Sequence, residues 1–152
     1  MKIFDCTTFF DENLMLEVRF NILNKYVDKF IVAEAKYSHS GEKKKLNFNI
    51  KKFSEFNKKI IYLIVDNEPS DVIYQNSKDD SVESKSEMRT NSIKRIAWQR
   101  NKLMDCLNEA NDEDYIFYSD NDEIPNFENF DFETNKKKIL IFKQKLFYYK
   151  FN

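Results

Sequence analysis

Four short runs rich in β-branched and aromatic residues, at 3–10, 30–33, Ile60–Val65 and Tyr115–Tyr118, are separated by stretches with helical spacing. This alternation narrows the choice of fold more than any other feature. Parallel strands need long crossovers, so strand, helix, strand, helix, strand, helix, strand predicts a mostly parallel sheet covered by helices. Right-handed crossovers would make it a Rossmann-like α/β layer. Leu16, Phe20, Leu23 and Val27 mark the first helix, with Asp11 and Glu12 at its positive end. Residues 48–58 suggest a short second helix, and Ile93, Ala97, Arg100, Leu103, Met104 and Leu107 the stripe of a third. Ser38-His39-Ser40-Gly41 reads as a turn. Residues 67–91, polar throughout from 76, read as a mobile surface loop, and 139–142 and 147–151 as further sheet.

Composition permits a folded core and excludes several classes. With 15 Phe and 8 Tyr in 152 residues, a single domain over 1–152 has ample apolar area to bury. One glycine rules out collagen-like and Gly-rich architectures. A formal charge of −1 argues against a dedicated nucleic-acid binder. Cys6 and Cys106 are too few for a disulfide framework and read as free thiols. The start Met1-Lys2-Ile3-Phe4-Asp5 shows no leader-like apolar region, and no apolar run reaches the roughly 18 residues of a membrane span. The expectation is a cytoplasmic or membrane-peripheral protein of bacterial or viral type, without a transmembrane segment.

Open α/β sheets bind ligands beyond the carboxyl ends of their strands. That rule selects Asp5, Cys6 and Thr7, then Glu34, Asp66 and the segment 120–123. The last is the most informative, because Tyr115-Ile116-Phe117-Tyr118 delivers Ser119-Asp120-Asn121-Asp122-Glu123-Ile124-Pro125 at its exit. In extended geometry Asp120 and Asp122 point to one side and can share a cation. Their hard oxygens suit Mg²⁺ or Mn²⁺, which keep waters and bridge to phosphates. The same residues also read as an ordinary polar turn after a strand. An EF-hand does not fit, since Ile124 and Pro125 stand where a ligand and a glycine are needed.

Arg100 falls on the expected apolar stripe, where an unpaired cation is costly. It therefore reads either as reaching a carboxylate or phosphate with its planar fork, or as snorkelling past the core. His39, the only histidine, reads as a loop residue, and the lysine runs at 43–45 and 136–138 as solvated faces. A phosphatase using a nucleophilic Asp5 is disfavoured, because Cys6-Thr7 follows where a second aspartate is needed.

Several segments together resemble glycosyltransferase family 17, the β-1,4-mannosyl-glycoprotein N-acetylglucosaminyltransferases. They are Lys2-Ile3-Phe4-Asp5-Cys6-Thr7-Thr8-Phe9-Phe10, Glu12-Asn13-Leu14-Met15-Leu16-Glu17-Val18-Arg19, Val32-Ala33-Glu34-Ala35, Ser38-His39-Ser40-Gly41, 53–60, Gln99-Arg100-Asn101 and the segment from Ser119 to Pro125. The resemblance implies a GT-A fold, a UDP-N-acetylglucosamine donor, a glycan or glycoprotein acceptor, Mn²⁺ or Mg²⁺ at Asp120 and Asp122, and inversion at the anomeric carbon. It implies donor-side roles for Glu34, Arg100 and Asn101, to which the strand-end rule adds Asp5 and Asp66 as donor-side candidates, and Glu123 stands as candidate base. Because family members are usually longer, it also implies that the acceptor half lies outside 1–152. A truncated, non-catalytic nucleotide-sugar-binding remnant is the alternative.

Overall fold

The computed structural model describes residues 1–74, 81–135 and 137–144. In chain order the elements are β1 (Ile3–Phe9), α1 (Asn13–Leu23), β2 (Lys29–Ala35), β3 (Ile60–Val65), α2 (Val82–Lys102) and β4 (Tyr115–Tyr118). Two 3₁₀ segments, Ile50–Phe56 and Leu103–Cys106, precede β3 and follow α2. The strands form one sheet in the order β3-β2-β1-β4, parallel at every pairing. This is the Rossmann-like α/β architecture expected from the alternating runs.

The pleat sorts side chains between two layers. Ile3 and Phe9 of β1 and Phe30 and Val32 of β2 join Leu16, Phe20 and Leu23 of α1 in one core cluster. Phe4 and Cys6 of β1 and Ile31, Ala33 and Ala35 of β2 join Leu103 and Leu107 in another. The first is dense in rings: Phe20 lies 4.5 Å from Phe30 and 5.3 Å from Phe53, centroid to centroid. Such tilted and edge-on pairs add about 0.5–1.5 kcal/mol each beyond area burial. On the other face the small side chains of Ala33 and Ala35 leave room for α2, and Gln99 Nε2 donates to the Ala33 carbonyl at 2.9 Å.

Five expectations are corrected. The polar stretch expected as loop over 67–91 is helical from Val82, where α2 begins. Ser81 caps it by accepting from Ser84 N, and Glu83 lies in the first turn, both favourable at a helix start. Residues 75–80 lie outside the described residues.

The expected apolar stripe of α2 is not its buried face. Ile93 and Met104 are exposed, as are Ala97 and Arg100, while Asn91, Arg95 and Gln99 are buried. Hydrogen bonding chooses the face: Asn91 exchanges two bonds with the Ile73 backbone, and Arg95 pairs with Glu68. Leu103 and Leu107 are buried as expected, but beyond the helix.

The helix expected over 48–58 is a 3₁₀ segment kinked at Phe53, and α1 stops at Leu23, leaving Val27 buried in the following turn. Residues 139–142 form no strand, although Phe142 packs 5.4 Å from Phe127 in an aromatic cluster. The sheet expected over 147–151 lies outside the described residues. Among the described residues no helix is long and apolar enough to cross a membrane.

Candidate functional site

Parallel pairing brings the carboxyl ends of the strands to one edge, with Phe9 beside Glu34 and Ala35 beside Val65. β4 enters beside β1, Tyr118 opposite Cys6, so the chain leaving β4 crosses that edge. A cleft of about 440 Å³ opens there, bordered by Phe10, His39, Lys44, Arg100, Asp120 and Asp122.

Asp120 and Asp122 do not lie on extended backbone. Glu123 N donates to the Asp120 carbonyl at 2.9 Å and closes a turn, yet both carboxylates still border the same cleft. Arg100 Nη2 lies 2.8 Å and 3.2 Å from the two oxygens of Asp120, and its guanidinium sits 5.3 Å from the Tyr118 ring centroid. Tyr118 also donates to Asp120 Oδ1 at 3.1 Å. Burial, and then the Asp120 charge, push its phenol up to about 12, which keeps it a donor at neutral pH. Of the two readings of Arg100, the structure bears out the one in which it reaches a carboxylate. Asp122 is exposed and makes no hydrogen bond or ion pair among the described residues. It also borders a second, open cavity of about 1590 Å³, which Glu123 faces as well. Glu123 Oε2 accepts from Asp120 N at 3.3 Å.

The donor-side residues separate into groups. Asp5 is 1% exposed, and both its oxygens are taken by Arg19, through Nε at 2.8 Å and Nη2 at 2.7 Å. Glu34 is fully buried and accepts from Lys44 Nζ, Asn47 N, Phe48 N and the Tyr62 hydroxyl. It thereby fastens the segment that carries Lys44 into the cleft wall. Burial and the Glu34 hydrogen bond raise the Tyr62 phenol. Asp66 is exposed, pairs with Lys36 and borders a neighbouring cavity of about 590 Å³. Asn101 is exposed on α2 and borders none of these cavities.

Two features of the site escaped the sequence reading. Arg19, fully buried on α1, donates to the carbonyls of Asp120, Asn121 and Glu123 at 2.9, 3.5 and 3.3 Å and to Ser119 Oγ at 2.8 Å. An arginine among the buried stripe residues Leu16, Phe20 and Leu23 was the available signal. His39 reaches the cleft because its turn is clamped. Gly41 has φ +93°, Arg95 Nη1 donates to the His39 carbonyl at 3.2 Å, and Arg95 Nε lies 2.5 Å from Glu68.

Among the described residues no group of three or more His, Cys, Asp or Glu could close around a metal. Two carboxylates on a solvent-open turn still fit a hard divalent cation that keeps waters and takes phosphate oxygens; they do not fit a closed zinc site. With Arg100 and Lys44 beside them, the cleft offers opposite charges suited to a dianionic diphosphate and its counter-cation.

No curated protein and no solved structure matches the chain. The sequence profile described as glycosyltransferase family 17 matches residues 1–152, the whole of it. The parallel sheet, the carboxylate pair at a strand exit and that full-length match agree: the chain belongs to glycosyltransferase family 17, whose chemistry joins a sugar donor to a glycan acceptor.

Proposed function

We propose that the 440 Å³ cleft takes UDP-N-acetylglucosamine with Mn²⁺ or Mg²⁺ at Asp120 and Asp122, and that N-acetylglucosamine passes with inversion to a β-1,4-mannosyl-glycoprotein-type glycan. The observation that carries the proposal is the shared border of Asp120, Asp122, Arg100 and Lys44 on one cleft at the carboxyl edge of the sheet. When bound, the cation neutralises the diphosphate leaving group. Arg100 adds a planar donor fork on the same side, and Lys44 a second positive charge.

Glu123 faces the larger cavity on the far side of Asp122. An acceptor hydroxyl arriving there meets a carboxylate placed to take its proton, the role of the base in an inverting displacement. Glu34 and Asp5 serve the donor indirectly, the first by fixing the Lys44 segment and the second by neutralising Arg19.

Calorimetry with UDP-N-acetylglucosamine, with and without Mn²⁺, tests this reading. Metal-dependent binding that Asp122→Ala abolishes is the expected result; among the described residues Asp122 has no hydrogen-bond or ion-pair partner to lose. Absence of UDP-sugar binding, or binding indifferent to Asp122→Ala, refutes it.

A further inference from the structure

The carboxylate turn is an improbable structure on its own. Asp120, Asn121, Asp122 and Glu123 place three acids in four positions with no glycine, and like charges this close repel. One main-chain bond, from Glu123 N to the Asp120 carbonyl, closes the turn. Glu123 Oε2 accepts from Asp120 N, Arg100 and Tyr118 hold the Asp120 carboxylate, and Asn121 Nδ2 donates to the Glu12 carbonyl at 3.4 Å, while the carbonyls of the turn are held from beneath. Arg19 Nη1 donates to the carbonyls of Asp120, Asn121 and Glu123, and Nη2 donates to Ser119 Oγ, which itself donates to the Glu123 carbonyl at 2.7 Å.

Arg19 takes main-chain oxygens and leaves every carboxylate of the turn alone. Its own charge is already matched by Asp5, in a pair 0% and 1% exposed. What it supplies to the turn is therefore geometry, with little net field. With the carbonyls drawn inward, the carboxylates of Asp120 and Asp122 are left on the cleft side. A lysine at this position lacks the planar fork and has three donors for a set of acceptors that occupies all five of the arginine's.

We infer that Arg19 is the positioning residue of the carboxylate turn: by holding the carbonyls of Asp120, Asn121 and Glu123, it aims Asp120 and Asp122 into the cleft and sets the cleft's affinity for a divalent cation. The inference rests on the reading of that cleft as a cation–diphosphate site.

Three variants of the 152-residue chain test it, with the dissociation constant for Mn²⁺ alone as the readout. UDP affinity in EDTA reports on the rest of the cleft. Arg19→Met combined with Asp5→Leu removes the buried charges together, an exchange that tends to preserve folding, while deleting the anchor. Arg19→Lys retains the charge, and Ser119→Ala removes only the bridging hydroxyl. The two Arg19 variants are expected to bind Mn²⁺ about 10- to 100-fold more weakly, the usual consequence of losing an outer-shell support. Ser119→Ala gives a smaller loss in the same direction, and in Arg19→Lys and Ser119→Ala, which keep Asp5, metal-free UDP affinity stays within about twofold of the parent, because the anchor does not touch the other cleft walls. A purely structural arginine would instead lower thermal stability and leave the Mn²⁺ constant of the folded variants unchanged. Parental Mn²⁺ affinity in Ser119→Ala and in every Arg19 variant that unfolds cooperatively overturns the inference alone. If no Arg19 variant folds, Ser119→Ala decides by itself. A parent that binds neither Mn²⁺ nor UDP overturns the inference together with the proposed function.

Discussion

Gly41→Ala should be among the most damaging small substitutions in the protein, and its cost can be worked from the turn around His39. Gly41 has φ +93°, where a Cβ costs about 1–3 kcal/mol in strain. A Cβ there would also lie 2.5 Å from Arg95 Nη2 and 2.7 Å from its Cζ. Arg95 is not a free side-chain end that can swing aside: it is 5% exposed, its Nε holds Glu68, and its Nη1 holds the His39 carbonyl. Moving it forfeits hydrogen bonds to a charged group worth about 1.5–3 kcal/mol each. Backbone strain plus one such bond gives about 2.5–6 kcal/mol, against a total stability of roughly 5–15 kcal/mol. At about 2–4 °C per kcal/mol for a chain of this size, the melting temperature should fall by about 5–24 °C.

Urea and thermal unfolding of Gly41→Ala, Arg95→Ala and the double variant form a cycle that separates the two contributions. With Arg95 truncated the clash disappears, and Gly41→Ala should cost only the backbone term, about 1–3 kcal/mol. An equal cost in both backgrounds would show that the guanidinium does not restrain the turn. A cost under about 1 kcal/mol in the parent would show that the positive φ is not enforced either.

Two further outcomes follow from the charges and phenols near the cleft. Arg100→Gln should change stability by less than about 1 kcal/mol, because its pair with Asp120 is 42% and 48% exposed and largely screened. In calorimetry it should weaken UDP binding while leaving Mn²⁺ alone bound at least as well as in the parent, since Asp120 loses a competing cation. Stability should fall as pH rises from about 9 towards 12, read as a declining urea midpoint. Burial holds the Cys6 thiol and the Tyr37 and Tyr118 phenols up at about 12, above the 9.0 and 10.0 of the free groups. The folded state therefore retains protons that the unfolded chain releases in that window. Below it both states are protonated and the contribution is fully present.

What the sequence disclosed and what it hid follow from the range over which each cue acts. The strands were legible because their β-branched and aromatic runs are contiguous, and the parallel order because helical spacing intervenes between them. The paired aspartates were legible for the same local reason, three residues at one strand's exit. The buried face of α2 was not, because Asn91, Arg95 and Gln99 are buried to supply hydrogen bonds to the backbone of distant segments and to Glu68. Hydropathy records no such demand.

Arg19 was hidden for a related reason: its partners lie 14 residues away at Asp5 and 100 to 104 away in the carboxylate turn. Yet each half of that pair carried a local anomaly. Asp5 interrupts an apolar strand between Phe4 and Cys6, and Arg19 stands beside Phe20 on the stripe that α1 buries. Neither charge is tolerable in such a place alone, because an unpaired buried ion costs several kcal/mol. Two such anomalies of opposite sign, on a strand and the helix that immediately follows and packs on it, have one economical resolution, which is each other. Once they are paired, the arginine's remaining donors must find acceptors close by. At the carboxyl edge of a parallel sheet those acceptors are the carbonyls of the neighbouring strand's exit, here the turn that bears Asp120 and Asp122.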